Sequence, residues 1–128
     1  MNGRPPRGFT LVEMIVVIAV IAILVAVAIR PLLRARKSSE ESAALQVLRS
    51  LRSGEVRHKT RHDLYGDLNS LKASGDSPLG ENETERASGY TFTSASGEDV
   101  YTIVAMPPRT DMTTFTLVES GTIYPTDP

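Results

Sequence analysis

Apolar positions are gathered into one block near the start of the chain and dispersed everywhere else. From Phe9 to Ile29, 19 of 21 residues are hydrophobic, and Met14 to Ile29 is a run of sixteen without a charged or strongly polar group. At 1.5 Å per residue, a helix of that length spans about 31 Å, the thickness of a bilayer's hydrocarbon core. Its many Val and Ile residues are no obstacle in a membrane, where a helix satisfies its own backbone. A cleaved secretory signal has a shorter apolar core followed by a small-residue cleavage site; here Arg30-Pro31-Leu32-Leu33 follows. The block is therefore predicted to cross a membrane once.

After Pro31 the pattern becomes amphipathic. Ala44, Val47, Leu48 and Leu51 fall on one helical face, while Arg34, Lys37, Glu40, Glu41, Gln46, Arg49 and Arg52 fall on the other. Pro31 can kink a membrane helix and let it continue, so one helix is predicted from about Phe9 to roughly His58. His58 and His62 lie four residues apart. The segment lacks the Glu that follows the first His of a zinc-protease helix, and Arg57, Lys59 and Arg61 repel a cation, so solvated surface histidines are expected.

The remainder reads as a small α+β unit. Asp67 or a neighbour is placed to cap a short helix, with Leu64, Leu68 and Leu71 as its apolar stripe. Residues 74–89 form a polar loop; its acids have no EF-hand spacing, and its Asn82-Glu83-Thr84 glycosylation pattern is too short to carry weight. Strands are predicted at 90–94, 100–106 and 113–119, with a shorter one at 121–124. The simplest arrangement is an antiparallel meander laid on the amphipathic helix, its threonine-rich face turned to water.

Composition narrows the chemistry. The chain has 128 residues, no cysteine and a formal charge of −1. That excludes disulfides and thiolate chemistry and gives no broad basic surface for nucleic acid. No nucleophile–base pair, phosphate-binding glycine loop or metal-ligand cluster is found, so no enzyme, metal or cofactor is expected.

Glu13 stands apart, because a lone carboxylate within a membrane helix is costly unless it has a cationic partner or, one turn from the helix end, reaches the headgroups. Ahead of it lies a short basic segment, Met1 to Gly8, with Arg4, Arg7 and two prolines, and then Gly8-Phe9-Thr10-Leu11-Val12-Glu13. This arrangement resembles the class III signal of the type IV pilin and type II secretion pseudopilin family. The resemblance implies that a membrane-bound prepilin peptidase cuts between Gly8 and Phe9 and methylates the new Phe9 amine. It also implies that Glu13 of one subunit pairs with the Phe9 amine of its neighbour during assembly. The fold it implies is a pilin-like lollipop: one long N-terminal helix, hydrophobic then amphipathic, packed against a small antiparallel β-sheet. Two departures are visible: Pro31 stands one residue later than the family's usual helix-breaking proline, and Ala22 replaces a frequent Gly.

On this reading the leader is 1–8, the membrane and filament-core half of the helix 9–30, the amphipathic half 31–62, and the C-terminal globular part 63–128. Counting positive charges favours the opposite membrane orientation, whereas the peptidase signal requires a cytoplasmic leader and takes precedence. The implied partners are further copies of the chain as a homopolymer, the peptidase, an inner-membrane assembly platform and the membrane that holds the precursor, without direct nucleic-acid binding. The implied function is a pilus subunit for adhesion, motility or DNA uptake, located in the inner membrane before assembly and in an extracellular or periplasmic filament afterwards. The alternatives are a major (G-type) pseudopilin of type II secretion and a signal-anchored membrane protein with a small binding domain. Apart from Phe9, no aromatic residue precedes Tyr65, which argues against an electron-conducting filament core.

Overall fold

In the computed structural model, residues 8–79, 86–87 and 89–128 are described. Helix α1 runs from Leu11 to His62 without a break, through Pro31, which has no N–H to offer the Val27 carbonyl. It is followed by α2, Leu68–Ala73, and five strands: β1 Arg86–Ala87, β2 Tyr90–Ser96, β3 Tyr101–Met106, β4 Thr114–Val118 and β5 Ile123–Thr126. The chain divides into two compact units at Arg36 and Lys37. Residues 1–7 of the expected leader and the Asn82 glycosylation pattern lie outside the described residues.

In the first unit every described residue from Gly8 to Arg36 is exposed. The helical stretch there is long and apolar enough to cross a membrane, with a mean hydropathy of 3.2 over its most apolar window.

The second unit is built on an antiparallel meander with strand order β1-β2-β3-β4-β5. Alternation places Tyr90, Phe92, Tyr101, Ile103, Ala105, Phe115 and Leu117 on the buried face. The register lines Phe92 up with Ala105, and Ala105 with Phe115; Ile103 opposes Leu117, which in turn opposes Ile123. These side chains close over Ala44, Leu48 and Leu51 of α1 and Leu68 and Leu71 of α2. Each large apolar side chain so buried contributes about 1.5–3 kcal/mol. The α+β layout, one long helix packed with a small antiparallel sheet, is the one expected.

Several boundaries differ from expectation for identifiable reasons. The helix continues one turn past His58, and ends where Asp63 turns left-handed at φ 64° while its N–H donates to the Lys59 carbonyl at 2.8 Å. A left-handed residue just past the last turn is a usual helix stop, and Asp tolerates it better than most. Leu64 falls in the connection after that stop; it is exposed and does not join the stripe of Leu68 and Leu71. Strand β1 lies within the expected loop, pairing Arg86 with Thr91 and Ala87 with Tyr90. The turn between these strands uses Gly89 at φ 81°, a conformation that glycine adopts freely.

Candidate processing and assembly site

The residues from Gly8 to Glu13 form a helix start. Thr10 is the cap: its hydroxyl accepts the Glu13 N–H at 3.2 Å, while Glu13 Oε2 accepts the Thr10 N–H at 2.9 Å and the Thr10 hydroxyl at 3.0 Å. This is the reciprocal capping box of a Thr-x-x-Glu sequence, which satisfies otherwise orphaned N–H groups at the first turn. The Thr-x-x-Glu signature of this box is present in the sequence, beside the expectations of a cationic partner or of headgroup contact for Glu13. Within one chain, the carboxylate's partner is Thr10.

Gly8 and Phe9 precede this cap in open surroundings. A Cβ placed on Gly8 meets nothing within 4 Å, so the fold does not require glycine there. Phe9 is 79% exposed, leaving the Gly8–Phe9 peptide bond free of packing. Pro31 lies far along the same helix and shares no contact set with these residues.

The segment matches the family described as the prokaryotic N-terminal methylation motif over residues 4–29. The chain is also similar to the type IV major pilin protein PilA of Myxococcus xanthus, with 32% identity over 92 residues, or 72% of this chain and 39% of that protein. Both similarities support the type IV pilin family. The chain spans well under half the length of the curated relative it matches.

The second unit holds polar groups that the sequence reading placed wrongly or missed. The α1 stripe of Ala44, Leu48 and Leu51 continues at the same spacing to Glu55 and His58, and both are buried. His58 is therefore not the solvated surface residue expected, whereas His62 is exposed. The two imidazoles lie with ring centres 4.5 Å apart, and His58 Nδ1 is 3.4 Å from the Ser74 hydroxyl. Extending the stripe by one heptad would have found Glu55 and His58. Between them and Leu51, Gly54 lets the Asp76 carbonyl approach the helix.

Asp76 fastens the segment after α2 to α1. Its side chain is buried, and its carboxylate takes Arg57 Nε at 2.9 Å and Arg61 Nη1 at 2.8 Å. Arg57 Nη2 also donates to the Asp76 carbonyl at 3.2 Å. The Arg57 hydrogen bond holds the Asp76 carboxyl below the usual aspartate range against the opposing effect of desolvation, with help from Ser74 and Arg61. Nearer the start of the unit, Glu41 accepts the Thr113 N–H at 3.2 Å and Lys37 donates to the Asp111 carbonyl. The expected cap is also present: Asp67 Oδ1 accepts the Ser70 N–H at 2.8 Å. Among the described residues, no group of three or more His, Asp or Glu side chains converges as a metal site.

Proposed function

We propose that this chain is a structural filament subunit, made as a single-pass inner-membrane precursor and polymerised after its leader is removed. The observation that carries the reading is Gly8-Phe9-Thr10-Leu11-Val12-Glu13 at the start of an apolar helical stretch with no buried residue. A prepilin peptidase cuts between Gly8 and Phe9 and methylates the Phe9 amine; residues 1–8 are the leader. The 9–30 segment then leaves the bilayer and packs against copies of itself, exchanging burial in lipid for burial between subunits. Residues 31–62 and 63–128 supply the amphipathic stem and the globular part on the filament's exterior, and Pro31 serves as the point where the stem can bend.

Glu13 selects the register of assembly. A carboxylate moving into an apolar filament core is tolerable when paired and strongly unfavourable when its partner is missing. The new Phe9 amine of a neighbouring copy is a cation generated only by processing, so uncleaved precursors lack the group that Glu13 needs. The role is structural rather than catalytic, with an inner-membrane platform as the site of addition. The name of the Myxococcus relative supports a pilus over a secretion pseudopilus.

Intact mass spectrometry of filaments sheared from native cells tests the reading. An abundant species starting at methylated Phe9 is expected. Processed protein confined to the membrane fraction would favour the pseudopilin, and a chain still starting at Met1 in every fraction would refute processing altogether.

A further inference from the structure

Glu55 is the anomaly of the globular unit. It is fully buried on the helix face that it shares with Ala44, Leu48, Leu51 and His58. Its Oε2 accepts the Gly66 N–H at 3.0 Å, while its Oε1 has no hydrogen-bond partner. Buried polar atoms are nearly always satisfied, and an exception calls for a reason. The single bond it makes joins α1 to the turn between α1 and α2, across a sequence separation of eleven residues.

We propose that Glu55 is a proton-operated latch, which holds the Gly66 turn against the last turns of α1 when its carboxyl is neutral and releases that turn when it is ionised.

The surroundings explain the direction. On α1 the neighbouring titratable group is His58, whose ring lies against Gly66, where a Cβ would stand 3.1 Å from the imidazole. The connection contributes the Gly66 amide, Tyr65 and the Asp67 carboxylate; β3 contributes Tyr101, whose ring meets that of Tyr65 at a tilt with centres 4.7 Å apart and which feels Arg52 and Glu119. None of the described cations forms an ion pair with Glu55. An ionised Glu55 would thus be a buried charge with one hydrogen bond and a like charge nearby, a combination disfavoured far more than a neutral carboxyl with one unmade bond. Moving the Gly66 turn aside would give both oxygens to water.

Desolvation, the largest influence, pushes the Glu55 carboxyl up to about 7; the Gly66 amide opposes it and the Asp67 carboxylate adds to it. The closed turn therefore binds the proton more tightly than the open one. Its extra stability is complete below the ordinary glutamate value, is lost as pH rises to about 7, and changes little above that.

The test is hydrogen exchange at the Gly66 amide in the full chain in detergent micelles, corrected for the intrinsic pH dependence of exchange, together with an NMR titration of the Glu55 carboxyl carbon. Protection at Gly66 is expected to be on the order of a hundredfold greater at pH 5 than at pH 7.5, as a shift of this size implies at tenfold per pH unit. Glu55→Gln keeps an acceptor for Gly66 but no titrating proton, so its protection should not change over that range. Asp67→Asn keeps the α2 cap, removes the like charge and should lower the Glu55 midpoint. A carboxyl titrating in the ordinary glutamate range overturns the proposal, and this measurement stands even if Glu55→Gln fails to fold. A pH dependence that survives Glu55→Gln assigns the effect to His58 and overturns it equally.

Discussion

Gly54 lies inside a long helix, where glycine is ordinarily a defect and replacement by alanine gains about 1 kcal/mol. Here the opposite sign is expected. A Cβ on Gly54 would stand 2.2 Å from the Asp76 carbonyl oxygen and 3.2 Å from its carbon. Contacts under 3.0 Å are essentially not found for real Cβ atoms, so one backbone must yield by about 0.8 Å. Asp76 has little freedom to move. Its N–H donates to the Leu71 carbonyl at 2.8 Å, and the Ser77 N–H reaches the same oxygen at 3.0 Å. Its carboxylate and carbonyl are held by Arg57 and Arg61. Overpacking a tight contact costs about 1–3 kcal/mol, and each hydrogen bond broken in relieving it adds about 0.5–1.5 kcal/mol. Less the helix-propensity gain, Gly54→Ala should destabilise the globular unit by about 1–3 kcal/mol. For a unit of this size that is a fall in Tm on the order of 10 °C. The assay is thermal unfolding of the detergent-solubilised full chain, followed by near-ultraviolet circular dichroism from the buried tyrosines. Ser50→Ala, an exposed change on the same helix, serves as control and should leave Tm unchanged or slightly raised. A Gly54→Ala chain as stable as the wild type would refute the close-approach argument.

Asp76→Asn should lower Tm at pH 7. Because the Asp76 carboxyl is held below its ordinary value, its contribution is present above the usual aspartate range and lost as pH falls through the folded value, so the gap from wild type should close in acid; a gap that stays constant with pH would count against the Arg57 and Arg61 pairing. Gly8→Ala should leave thermal stability unchanged, since nothing surrounds that position, but should accumulate uncleaved precursor on immunoblots; normal processing would refute the assigned cleavage site. Glu13→Ala should still insert and be processed while filament yield falls sharply, and a normal yield in sheared fractions would remove the pairing with the Phe9 amine.

What was legible in the sequence was what depends on local pattern. The apolar block, the α+β class, the four longer strands and the Asp67 cap follow from periodicity and from residues with strong positional preferences. What escaped depends on partners distant in the chain. Glu55 and His58 sit at stripe positions, but His58 is expected to be solvated among its basic neighbours and Glu55 is not singled out; the Gly66 turn, eleven and eight residues later, lies against both. Gly54 makes sense only once the Asp76 carbonyl is beside it, twenty-two residues away. Strand β1 has too few residues to show alternation and exists through its pairing with β2. At Gly8 to Glu13 the family signal was complete in the sequence, whereas the Thr10–Glu13 capping box lay hidden beneath it.

The sheet ends in strands poorly suited to grow further. Strand β1 has two residues, and β5 has four, one of them Pro125, set opposite Phe115. Proline brings no N–H to a ladder, and short or proline-bearing edges are how sheets avoid recruiting a stray strand. In the proposed filament, where copies would stand at high local density, the hazard is fusion of neighbouring sheets into an amyloid-like ribbon. These blunted borders discourage that fusion, leaving ordered association to surfaces other than the sheet's rim.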